Sequence, residues 1–311
     1  MTKIATIATI ITTEEKYTLL HEKFSEYGIK QYQVQIPSTT LDKIYDLYTS
    51  NTYSEPCCSE EYFYFGRYYE KVKEDYQKMK TFYLKACDNG NTSAMNCLGL
   101  HYKNVEKNFK EMKKWYLKAI SYGLVASMNN LGVYYEDQEK FVKMKKWYLT
   151  AIEHKNAISM FNLAVYYYKK RRYEKAKKLY LLAAEHGHSS AMYNLGVYYQ
   201  TVEKNEQEME KWYLSAMEHG DTDAVDNLGL WYYENEEYEK ALKFLILDVD
   251  KHADIILEIL SEPNTLKNFV GEYLQNCDTI KILRLKNKHL KYNPDGSKFL
   301  KVKEHFKKLT E

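Results

Sequence analysis

The chain has 311 residues, 45% of them hydrophobic, enough for a substantial core. Its 45 basic and 43 acidic side chains leave a formal net charge of +2, which provides no global field and argues against a dedicated nucleic-acid binder. No run approaches the ~20 apolar residues of a spanning helix, and an intracellular, cytoplasmic protein is expected.

Residues 1–58 carry no repeat and read as a small mixed α/β cap. Met1-Thr2-Lys3 and the stretch Ile4 to Ile11 superficially resemble a signal peptide, but the segment is short, rich in threonine and followed at once by Glu14-Glu15. Thr12 and Glu15 form a capping box that opens a helix with Tyr17, Leu20, Phe24 and Tyr27 on one side. Tyr32, Val34 and Ile36 alternate with glutamines as in a half-buried strand, with which Ile4 to Ile11 can pair. Leu41, Ile44, Tyr45 and Tyr48 then predict an amphipathic helix.

From residue 59 to 253 one pattern recurs six times at a step of 32 or 33 residues. Its anchors are Phe65, Leu98, Leu131, Leu163, Leu195 and Leu228, followed by Gly66, Gly99, Gly132, Ala164, Gly196 and Gly229. Self-similarity at that period predicts an all-α fold, an α/α solenoid in which each unit buries its apolar side against its neighbours. Each period holds two helical stripes, for instance Met128, Leu131, Gly132 and Tyr135, then Phe141, Met144, Trp147, Tyr148 and Ala151. The short polar stretch Asp137 to Glu139 between them predicts an antiparallel hairpin. Glycine inside a helix costs about 1 kcal/mol relative to alanine, so its recurrence predicts close packing there, with backbone approach as the expected reason. The second helices carry Ala86, Ala119, Ala151, Ala183 and Ala216, then end at Gly90, Gly123, Gly187 and Gly220. Lys155 replaces that glycine in the third copy and predicts a left-handed lysine. Residues 254–311 read as a basic helical cap, with Asn293-Pro294-Asp295-Gly296 as a turn before the last helix.

The stretch from Ala184 through Gly187, Ala191, Asn194, Leu195 and Gly196 to Tyr199 resembles the Sel-one-like repeat (SLR), a relative of the tetratricopeptide repeat (TPR). Unit length is nearer the TPR, and Met79, Met112, Met144 and Met209 stand where both families generally have alanine, which Ala176 and Ala241 retain. In their richness in Lys, Asn and Tyr the units are also similar to repeat arrays of large DNA viruses of amoebae, which would place the protein in host cytoplasm. The resemblance implies a non-enzymatic scaffold that binds another protein, as a peptide or helix, on a concave first-helix face. The five cysteines, Cys57, Cys58, Cys87, Cys97 and Cys277, show no C-x-x-C and suit a reducing compartment, unlike the disulfide-stapled secreted SLR proteins.

The candidate partner-binding residues follow from that frame. Asn130, Asn162, Asn194 and Asn227 directly precede anchor leucines, and Phe161 and Tyr193 lie one position earlier. A row of amides can hold the backbone of an extended peptide, or can bond the neighbouring repeat. Aromatic groups beside it suit a binding hot spot or inter-helix packing equally. The carboxylate-gripping clamp of some TPR domains is not supported, because its groove positions hold Ser93, Ala126, Ile158, Ser190 and Asp223.

No metal or other cofactor is expected. His154, His186 and His219 share one repeat position and suit helix C-termini, being too far apart to share an ion whose ligands lie about 2 Å away. Lysines on the second helices, among them Lys110, Lys113, Lys114 and Lys143, read as a solvated face. The alternative to a scaffold is an electrostatic tether, in which Lys281 to Lys308 touch anionic membrane or nucleic acid. No catalytic motif is present.

Overall fold

The computed structural model describes residues 38–50 and 54–261, and among these every regular element is helical. The expected N-terminal strands and the basic C-terminal segment lie outside the described residues. The chain divides into two compact units, the first ending at His154 and the second beginning at Lys155.

In the first unit α1 (Ser38–Ser50) precedes three helical hairpins: α2 (Ser59–Lys71) with α3 (Tyr76–Asp88), α4 (Thr92–Asn104) with α5 (Phe109–Ser121), and α6 (Val125–Asp137) with α7 (Phe141–Glu153). Within this unit the second helix of one hairpin packs on the first helix of the next, α3 on α4 and α5 on α6. The second unit repeats this with α8 (Ala157–Lys169) and α9 (Tyr173–Glu185), α10 (Ser189–Tyr198) and α11 (Glu206–Glu218), and α12 (Asp223–Glu234) and α13 (Tyr238–Leu245). A closing helix, α14 (Val249–Ser261), packs on α13. The expected all-α hairpin repeat is thus present in both units.

Hairpin geometry explains the step length. In the third, fourth and sixth hairpins the turn closes on a tyrosine carbonyl five residues back, as in Lys140 N–H to Tyr135 (2.9 Å). The first, second and fifth hairpins carry one residue more, and the closing bond spans six, as in Asp75 N–H to Tyr69 (2.9 Å). That extra residue makes the next anchor fall 33 rather than 32 positions on, and in the fifth hairpin the widened turn is a π-helical segment, Tyr199–Glu203. The longer turns also bring a side chain to the second-helix N-terminus: Asp75, Asn108 and Asn205 each accept from the backbone N–H three residues later.

Between hairpins the second helix ends in a Schellman arrangement: Asn91 N–H reaches the Ala86 carbonyl and Gly90 N–H the Cys87 carbonyl. Gly90, Gly123, Gly187 and Gly220 take φ from +77 to +87°, and Lys155 takes φ +59° in the third copy, as its sequence position predicted. Left-handed backbone costs a residue with a Cβ about 1 to 2 kcal/mol. Glycine there loses somewhat more entropy on folding, about 0.5 to 1 kcal/mol. Lys155→Gly should therefore stabilise the protein by about 0.5 to 1 kcal/mol in urea unfolding, and a destabilised variant would contradict the assigned conformation.

The first-helix glycines have a reason other than the expected backbone approach. A methyl group at Gly66, Gly99, Gly132 or Gly196 would lie 2.4 or 2.5 Å from the ring of Tyr83, Tyr116, Tyr148 or Tyr213. All four rings are fully buried. The glycine is a seat for the second-helix tyrosine, and the expectation of backbone contact is corrected accordingly. One turn further along the first helix stands an acceptor for the tyrosine hydroxyl: Glu70 for Tyr83 (2.6 Å), Glu136 for Tyr148 (2.8 Å) and Gln200 for Tyr213 (2.8 Å). In the second hairpin that place holds Lys103, and the buried Tyr116 hydroxyl has no protein partner. In the fourth, Ala164 replaces glycine and the Tyr180 hydroxyl meets Asn194 instead (3.4 Å).

Candidate interaction site

The asparagines before the anchor leucines lie half-buried on α6, α8, α10 and α12. In the first unit Asn130 donates through Nδ2 to Oδ1 of Asn96 (2.9 Å), which also accepts from the buried Ser127 hydroxyl (2.9 Å). In the second unit Asn227 donates to the hydroxyl of Tyr193 (2.8 Å). Asn96 and Tyr193 occupy the same repeat position, two before their anchors, so the asparagine of one repeat reaches back to the repeat before it. Phe161 holds that position in the fourth hairpin and has no acceptor, and Asn194 turns to Tyr180 Oη. The structure therefore brings Asn227 and Tyr193 together and uses the N–H groups of Asn130, Asn194 and Asn227 within the array.

The position of Phe161 and Tyr193 points forward to the following repeat. Phe161 stacks on His188, the residue preceding α10, at 4.6 Å between centroids and 16° between planes. Asp226, its equivalent in the sixth hairpin, binds Lys251 and, at 2.9 Å, His252 of α14. Burial would raise the Asp226 carboxyl, but its bonds to Lys251 and His252 outweigh it and hold the pKa below the ordinary aspartate range. The alternatives read from the sequence, asparagines bonding the neighbouring repeat and aromatic groups packing between helices, are both present here. What the sequence did not name is the partner of each, whose only textual signal is that residues before the anchors vary in hydrogen-bonding type between copies.

His188 carries a pH consequence. Burial against Phe161 lowers its pKa from the usual 6.5, and Nδ1 has no protein partner. A group depressed in the folded state binds its proton more readily when unfolded, so stability is full above the unfolded pKa and falls as pH drops below it. Urea unfolding should show lower stability at pH 5 than at pH 7.5, with a smaller difference in His188→Asn; an unchanged difference would assign the dependence to other groups.

The remaining sequence candidates separate by environment. His154, His186 and His219 are C-cap residues of α7, α9 and α11, as their repeat position implied, and His219 Nδ1 lies 2.9 Å from the Ser215 carbonyl. Several second-helix lysines lie over aromatic rings, Lys118 over Trp115 (5.2 Å) and Lys177 over Tyr199 (4.9 Å), contacts of about 0.5 to 1 kcal/mol at exposed sites. Cys87 and Cys97 are buried, and burial pushes their thiols up to about 12 and about 11. Cys57 and Cys58 are exposed. No helix among the described residues is long and apolar enough to cross a membrane.

Reciprocal first-helix contacts and tyrosine-seated hairpins define a helical-hairpin repeat protein. A Sel1 repeat protein from Oxalobacter formigenes has the same architecture, with a TM-score of 0.51 and 19% identity over 75% of this chain and 97% of that one. A protective antigen of uropathogenic Escherichia coli that displays an SLR fold is similar over 88% of this chain at 22% identity and a TM-score of 0.49; this chain covers 61% of its length, less than two thirds. No family model and no curated protein matches the chain. The fold is that of the SLR proteins.

Proposed function

We propose that the protein is a non-enzymatic interaction scaffold whose first-helix faces hold an extended or helical segment of another protein. The observation that carries this reading is the division of labour within the asparagine side chains. Asn130, Asn194 and Asn227 spend N–H groups on neighbouring repeats, while each half-buried amide retains a carbonyl oxygen able to accept a peptide N–H. Half-buried Phe161 and Tyr193 and the 52% exposed Ile158 add apolar contact beside Asn162 and Asn194. Acceptors without sequence readers would grip a backbone, and the aromatic groups would supply selectivity.

The test is crosslinked affinity capture from the producing cells with the intact chain, Ile158→Asp, and a variant with all four asparagines changed to alanine. Circular dichroism establishes which variants fold; Ile158 is exposed, so that variant is expected to. Loss of a specific captured protein with folded Ile158→Asp supports the first-helix face. Undiminished capture by both folded variants overturns it.

A further inference from the structure

A cluster near the start of the first unit is used by neither the repeats nor the proposed interaction face. The sulfur atoms of Cys57 and Cys58 and a carboxylate oxygen of Glu61 lie within 4.8 Å of one another. Both cysteines are exposed, and Cys58, the residue preceding α2, makes no side-chain capping bond. Glu61 is 4% exposed and held in place: its Oε2 accepts from the Cys57 backbone N–H at 2.8 Å and from Lys43 of α1 at 2.7 Å. We propose that Cys57, Cys58 and Glu61 form a surface site for one thiophilic divalent ion of the zinc and cadmium class.

The donor set selects that class. Two sulfurs and one oxygen suit a borderline or soft ion and are poor ligands for magnesium or calcium. A tetrahedral ion with sulfur at about 2.3 Å and oxygen at about 2.1 Å needs ligand atoms roughly 3.5 to 3.8 Å apart. The ligand atoms therefore close by at most about 1.3 Å, a movement open to two exposed side chains beside a fixed carboxylate. A fourth position is left for water. Charge also balances: two thiolates and one carboxylate carry three negative charges, which Lys43 and a divalent ion together neutralise. Lys43 and the Cys57 backbone N–H share Oε2, which fixes the carboxylate beside the thiols.

The test titrates the full, reduced chain with cadmium ion alone and follows the ultraviolet sulfur-to-cadmium charge-transfer band. One equivalent should produce the band, excess magnesium should not displace it, and zinc should compete. In Cys57→Ser/Cys58→Ser the band should disappear, with Cys87, Cys97 and Cys277 unchanged as internal controls and circular dichroism confirming the fold. Glu61→Gln should weaken binding at least tenfold. No band in the intact chain, or an equal band in the folded double variant, overturns the site. Should Glu61→Gln fail to fold, the double variant still decides.

Discussion

Replacing Tyr148 by alanine is expected to destabilise the protein by about 3 to 5 kcal/mol, the range for truncating a large buried aromatic. Its ring is fully buried and fills the seat that Gly132 leaves open, so removal leaves a cavity neither helix can fill without moving. The hydroxyl contributes separately. Tyr148→Phe removes the bond to Glu136 and should cost about 1 to 2 kcal/mol. Tyr116→Phe should cost nothing measurable or stabilise slightly, because that buried hydroxyl has no protein partner to lose. Gly132→Ala opposes two effects. Helix propensity favours alanine by about 1 kcal/mol, while a methyl 2.4 Å from a buried ring costs about 1 to 3 kcal/mol or more. Net destabilisation is expected, and it should vanish or reverse in the Tyr148→Ala background. Urea unfolding of the four single variants and the pair measures all these terms; a stabilised Gly132→Ala would refute the seat.

Met112→Ala is expected to cost about 2 to 5 kcal/mol although the fourth and sixth hairpins keep alanine at that position. Met112 is fully buried and packs with Tyr116, Leu131 and Tyr134. Ala176 and Ala241 at the same position are also fully buried, so in a close-packed interior other side chains are expected to take up the volume that the thioether fills at Met112. The converse change, Ala176→Met, should destabilise by about 1 to 3 kcal/mol through overpacking. Repeats that look interchangeable in sequence are then expected to be individually fitted, and near-zero changes in both directions would contradict this. Because repeat arrays unfold as coupled local units, hydrogen exchange should show the Met112→Ala loss concentrated in α4 to α7.

Much of the array was legible before its structure. Helical stripes around Leu131 and Tyr148 report which side of each helix is buried, and six copies in register remove the ambiguity of one. Glycine at the end of four second helices reports a left-handed backbone, and its absence in the third copy located Lys155 as the residue that adopts it there. These are local properties, set by a few residues of chain and its sterics.

What lay beyond the sequence were the identities of partners 12 to 34 positions apart, as between Glu136 and Tyr148 or Asn130 and Asn96. Burial of the Gly132 face was readable, but its occupant depends on the rotation and crossing of two helices, which decides between a neighbouring backbone and the Tyr148 ring. Likewise the asparagines announced a polar row, and only the register between hairpins decided that the N–H groups of Asn130, Asn194 and Asn227 point into neighbouring repeats. Periodicity thus determined the repeat, its helices and its turns. Tertiary packing decided what each buried face meets, which amide N–H groups are spent within the array, and that the exposed Cys57 and Cys58 gather beside a fixed carboxylate.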